Sequence, residues 1–128
     1  MSKFRVALNG YGRIGRCVLR ALYERGQSAN FTIVALNDIA DQASIEYLTR
    51  FDSTHGRFPA DVRVEGDCLH INGDCVQVLR AAEPEAIDWR SLNIDLLIEC
   101  SGQYTTREQA QRFLDAGVPR ILLSQPLA

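Results

Sequence analysis

No stretch of this sequence stays apolar for the roughly 18 residues that a membrane-spanning helix requires, so these residues supply no such span. Charge leans little either way. A formal net charge of -2 provides no basic field for holding a nucleic acid or an anionic membrane surface. A phosphate-bearing ligand would need local donors instead. Cysteine is sparse: Cys17, Cys68, Cys75 and Cys100 form no CxxC pair, and a chain of 128 residues is no small secreted scaffold. Reduced thiols are expected. Cys68 and Cys75 flank the turn Asn72-Gly73, which brings His70 near Cys75, but a metal site wants more ligands than that pair supplies. The N-terminus, Met1-Ser2-Lys3-Phe4, enters a strand-like run without a secretory cleavage pattern, and the cytoplasm is the expected location. Repeats, low-complexity tracts and linkers are lacking too.

What is present reads as one domain with enough length to bury a core. Short apolar runs alternate with segments of helical period, the pattern of a Rossmann-type α/β fold with a doubly wound, mostly parallel sheet. Strands are expected at Phe4 to Leu8, Phe31 to Leu36, Ile94 to Glu99 and Arg120 to Leu123. Smaller ones are expected at Val62 to Val64, Cys68 to Ile71 and Cys75 to Leu79, the last two forming an inserted hairpin around Asn72-Gly73. Helices are expected over 14 to 25, with Ile14, Val18, Ala21 and Leu22 on its apolar face, over Asp41 to Thr49, and over Thr106 to Ala116. Gly26 and Gly117 are suited to left-handed caps. Asp52 to Arg57 is turn chemistry, Pro84 to Asp88 one helical turn, and Trp89 its anchor to the core.

The chemistry-bearing motif is Gly10-Tyr11-Gly12-Arg13-Ile14-Gly15. Glycines at that spacing arise easily by chance, but these follow an expected strand and open an expected helix, the context a dinucleotide loop needs. Gly10 permits the turn, Gly12 lets the backbone approach a pyrophosphate, and Gly15 lets the helix pack on the strand. The helix N-terminus offers free N–H groups and partial positive charge. A tight strand-to-helix turn without a ligand is the competing reading. Asp38 ends the second strand, 23 positions beyond Gly15. A carboxylate there can accept from both hydroxyls of an adenosine ribose and repel a 2′-phosphate, which favours NAD over NADP. Its bland alternative is a helix N-cap, for which Asp41 is better placed. Beyond the strand ending at Glu99 come Ser101, Gly102 and Tyr104, and Ser124 ends the next strand. Ligands of open parallel sheets bind at such ends, so these residues are expected along the nicotinamide half, with caps or turns the alternative for each serine.

The run Val6 to Arg16 resembles the N-terminus of the glyceraldehyde-3-phosphate dehydrogenase family. So does Asp52-Ser-Thr-His-Gly-Arg-Phe58, a heptad with no general structural reason to recur. The Asn72-Gly73 hairpin, Ile87-Asp-Trp89, Glu99-Cys-Ser-Gly102 and Ser124-Gln-Pro126 follow in family order. Arg20-Ala-Leu-Tyr-Glu24 and the connection from Gln27 to Phe31 look most like the branch that oxidises erythrose 4-phosphate to 4-phosphoerythronate for pyridoxal phosphate synthesis. Glyceraldehyde-3-phosphate dehydrogenase itself is the alternative, and a non-catalytic dinucleotide-binding module the second. The resemblance implies an NAD-dependent aldehyde dehydrogenase, homotetrameric at full length, with residues 1–128 forming its NAD domain and cut before the catalytic domain. It implies that Arg13 and Ile14 contact the pyrophosphate. The family often places an arginine where Ala82 stands, near the adenine, and Arg80 is the available substitute. None of the four cysteines stands in the family's Ser-Cys-Thr-Thr-Asn context, so no catalytic residue is assigned here, and the aldehyde would require the catalytic domain.

Overall fold

The computed structural model describes residues 4–24, 30–38, 45, 49, 51–52, 56–57, 62–71 and 74–123. In β1 (Phe4–Asn9), Val6 and Leu8 belong to one apolar cluster and Ala7 to another. A strand buried on both faces must lie inside a covered sheet. β1 does: it pairs in parallel with β2 (Phe31–Asn37) on one side and with β8 (Leu96–Glu99) on the other. Among the described residues the sheet runs β5-β6-β7-β2-β1-β8-β9. Its outer members are β5 (Val62–Glu65), β6 (Cys68–Ile71), β7 (Asp74–Leu79) and β9 (Ile121–Leu123). β7, β2, β1, β8 and β9 are parallel, while β5 and β6 continue from β7 as an antiparallel meander. The inserted hairpin is therefore the extended edge of the main sheet. A separate two-residue ladder joins β3 (Phe51–Asp52) to β4 (Gly56–Arg57).

Helices cover both faces, as a doubly wound sheet requires. α1 (Arg13–Glu24) lies on the first cluster, with Leu19 fully buried and Val18 packed beside it. Ile14, expected on that apolar face, is instead 49% exposed in the first turn of the helix. α2 (Trp89–Leu92) and α3 (Arg107–Asp115) cover the other face, where Trp89 and Phe113 meet edge-on at 6.1 Å. Each fully buried side chain of this size contributes roughly 1.5–3 kcal/mol. α3 starts on a reciprocal cap: Thr106 accepts from the Gln109 N–H, and Gln109 accepts from the Thr106 N–H. Gly117, at φ +116°, ends its last turn.

The α2 helix was not anticipated. Its signal is Asp88, whose carboxylate accepts from the Ser91 N–H, while the Trp89 indole donates to Pro84 O at 2.9 Å across the preceding 3-10 turn (Pro84–Ala86). The cysteines also depart from expectation. Cys68 and Cys75 form a disulfide with Cα atoms 5.6 Å apart, not two free thiols. Their register explains the encounter: Cys75 faces His70, Cys68 faces Gln77, and alternation places both sulfurs on one face as diagonal neighbours. Of the helix expected over Asp41 to Thr49, Ile45 and Thr49 are described, and both are helical. The Asn72-Gly73 turn, residues 53–55 and Ser124 lie outside the described residues.

Candidate functional site

The strand order reverses at β1, because the chain winds outward to β2 and β7 and then crosses back to β8. Such switch points open a crevice beyond the carboxyl ends of the strands. Gly10 forms its floor at φ +91°, and a Cβ there would lie 2.6 Å from Ser101 Cα. The loops after β1 and β8 touch through their backbones, and only glycine permits it. A Cβ on Gly15 would lie 2.6 Å from Gly10 O, so that glycine closes α1 onto the loop. At Gly12 a Cβ would find no protein atom within 4 Å. The space beside Gly12 is open, the condition for a ligand to reach its backbone.

The loop is anchored from both sides. Tyr11 is buried and its hydroxyl meets Thr49 Oγ1 at 2.6 Å. The Thr49 hydroxyl donates to Ile45 O, so Tyr11 is the donor in that pair. Burial pushes the Tyr11 phenol up to about 12, against smaller opposing effects of Thr49, Arg16 and Arg20. On the crevice side, the Asp38 carboxylate accepts from the Tyr11 N–H at 2.7 Å, and Gly10 N–H donates to Asn37 O at 2.7 Å. The residue at the tip of β2 therefore holds the glycine loop directly.

Behind the loop, a chain of buried polar side chains ties four strand ends together. Glu99, 1% exposed, accepts at Oε1 from Asn9 Nδ2, from Ser101 N and from the Ser101 hydroxyl. Asn9 Oδ1 accepts from Asn37 Nδ2, which also donates to Ala81 O, and Asn37 Oδ1 accepts from the Ala81 N–H. Every donor and acceptor of the Asn37 amide is thereby engaged, as buried polar groups demand. The Ser101 proton is committed to Glu99, so toward the crevice this hydroxyl can only accept. It suits a hydroxyl donor better than a phosphate oxygen.

The crevice encloses about 380 Å³, within the usual range for small-molecule sites. Of the sequence-derived candidates, Gly10, Gly12, Asp38, Ser101 and Tyr104 line it. Tyr104 does so while its ring packs edge-on against Phe113 at 4.7 Å. Gly15 lies beneath the loop. Ile14 and Gly102 are exposed outside the lining. The backbone of Arg13 begins α1, and its side chain is outside the described set, as is Ser124. Arg80 is absent from this lining and opens on a second hollow with Gln77, Asp88 and Ser91. The residues that follow, Ala81 to Pro84, line the crevice, with Ala81 bonded to the Asn37 amide and bordering both hollows. Sequence reasoning missed Asn9, Asn37, Ala81, Glu83, Pro84 and Gln103 as lining residues. The available signal was an asparagine ending each of two otherwise apolar strands.

Cys100 also lines the crevice, but burial, aided by Glu99, pushes its thiol up to about 11. A nucleophilic cysteine needs the opposite shift.

The chain matches the family model described as glyceraldehyde 3-phosphate dehydrogenase, NAD binding domain, over residues 4–107. It is similar to the plasmid and the chromosomal glyceraldehyde-3-phosphate dehydrogenases of Cupriavidus necator, 44% identical to each over 122 residues. The alignments cover 95% of this chain and 36% of each relative, so the chain spans about a third of the length of the curated relatives it matches.

Proposed function

Because the chain belongs to the glyceraldehyde 3-phosphate dehydrogenase family, matching its NAD-binding domain, we propose that the crevice between β1 and β8 holds NAD for the oxidation of a phosphorylated aldehyde. The observation that carries this is the pairing of open space at Gly12 with a carboxylate latched beside it at Asp38. The pyrophosphate would lie against Gly12 and the first N–H groups of α1, at Arg13 and Ile14. The Asp38 carboxylate is an acceptor suited to the hydroxyls of the adenosine ribose, and its charge disfavours a 2′-phosphate. Ser101, Gly102 and Ser124 belong to the nicotinamide side of the proposal, with Ser101 accepting from a ribose hydroxyl; Tyr104, whose ring feels the Glu83 charge, is proposed at the base end. Bound there, the nicotinamide supplies a hydride acceptor, while the chain's own residues bind and orient it.

For the aldehyde, erythrose 4-phosphate is the reading drawn from Arg20 to Glu24, with product 4-phosphoerythronate and a place in pyridoxal phosphate synthesis. The names of the Cupriavidus necator relatives favour glyceraldehyde 3-phosphate as the alternative. A cytoplasmic homotetramer completes the proposal. Calorimetric titration of this chain with NAD and NADP tests the cofactor site. NAD should saturate one site and exceed NADP by about tenfold or more, a difference of ~1.4 kcal/mol. Asp38→Asn keeps an acceptor for Tyr11 but removes the charge, and should narrow that ratio. A folded chain that binds neither nucleotide would sink the reading.

A further inference from the structure

The dinucleotide reading leaves its base unread, and the wall formed by residues 81–84 carries a side chain able to do it. We propose that Glu83 selects the purine, accepting a hydrogen bond from an exocyclic amine at the base's six-position. This rests on the cofactor reading above.

The placement follows from the sheet order. With the pyrophosphate at β1 and the ribose at the tip of β2, the base lies farther out, toward β7 and the residues that follow it. There the crevice is walled by Ala81, Ala82, Glu83 and Pro84, with Tyr104 across from them. The alanines and the proline offer apolar contact and no side-chain hydrogen bond. The amide of Asn37, which could have read a base edge, is spent on Asn9 and Ala81 at both its ends. Asp38 is engaged by the Tyr11 N–H and assigned to the ribose. Glu83 is the charged acceptor of the segment 81–84. Its Oε2 accepts from Arg112 Nη2, which fixes the carboxylate and leaves Oε1 without a protein partner among the described residues. Its charge also joins burial in raising the Tyr104 phenol, as proximity to that ring requires.

A carboxylate accepts and cannot donate. It favours a purine bearing an amine at position six and disfavours one bearing a carbonyl there, since two acceptors would then face each other. The proposal is thus a preference for adenine over hypoxanthine, exerted by a residue outside the glycine loop and the ribose carboxylate.

Glu83→Ala is a usable variant because Arg112 keeps its paired contacts to Glu85, Nε to Oε1 at 2.8 Å and Nη2 to Oε2 at 2.8 Å. The turn stays fastened to α3. The experiment is calorimetric titration of the chain with NAD and with nicotinamide hypoxanthine dinucleotide. The wild type should prefer NAD by about tenfold or more, the size of a lost hydrogen bond to a charged group. Glu83→Ala should bring the two nucleotides within about threefold, by weakening NAD. Glu83→Gln, whose amide can accept or donate, should bind both and also lose the preference. If the wild type binds both nucleotides equally, or the preference survives in Glu83→Ala, the assignment to Glu83 is overturned. If neither nucleotide binds the wild type, it is the cofactor reading that falls.

Discussion

An added methyl at position 12 would meet no protein atom, whereas at position 10 it would press into Ser101 backbone at 2.6 Å. The fold thus accounts for the glycine at position 10 but not for the one at position 12, which the proposed cofactor would explain. Gly12→Ala should change stability by less than about 1 kcal/mol while weakening NAD by about tenfold or more. Gly10→Ala adds left-handed backbone strain to the clash and should cost about 3 kcal/mol or more. Urea melts of both variants, with NAD titration of the first, separate the cases. Equal destabilisation by both would show that the loop is purely structural. The spacing of the motif was legible in the sequence, but this division of labour was not, since it depends on Ser101, 91 positions away. The same distance hid the polar chain from Glu99 to Ala81. Each of its members is an ordinary strand-end residue until the sheet brings them side by side.

Among the elements, legibility tracked local chemistry. β1, β2, β6 and α3 fall within a residue or two of their expected bounds because apolar runs, Gly117 and the Thr106 cap specify them without help from afar. The short α2 helix was lost because four residues carry no helical period, and its Asp88 cap looks like any turn aspartate. The disulfide was lost because strand register, not cysteine spacing, sets which sulfurs meet. α3 matters to the site as well as to the core, since it begins three residues after Tyr104 and holds the Glu83 turn through Arg112. Thr106→Ala removes the cap and should destabilise by about 1 kcal/mol, whereas Thr106→Ser should recover most of it. Thermal unfolding followed by circular dichroism reads both, and an unchanged melting temperature in Thr106→Ala would show that packing alone holds the helix.

For the whole molecule, the clearest lever is alkaline pH. Tyr11 and Cys100 are both protonated in the folded chain, with values raised to about 12 from 10.0 and to about 11 from 9.0. The unfolded chain gives up these protons first, so stability is full below pH 9 and declines as pH rises toward 12. The thiol governs the first part of the decline and the phenol the second, and the phenol's share should reach about 3 kcal/mol. Urea unfolding across this range should show the fall, and Cys100→Ala should abolish only its early part. A flat profile through pH 11 would contradict the burial of both groups. The latch from Asp38 to the Tyr11 N–H has a bearing on protein engineering. The usual route to a phosphate-tolerant cofactor site replaces the acidic residue with a small or basic one. Here that exchange would also unfasten the loop, so libraries varied at position 38 alone would conflate altered selectivity with lost geometry. A successful redesign must recruit a new acceptor for Tyr11 at the same time as it removes the old charge.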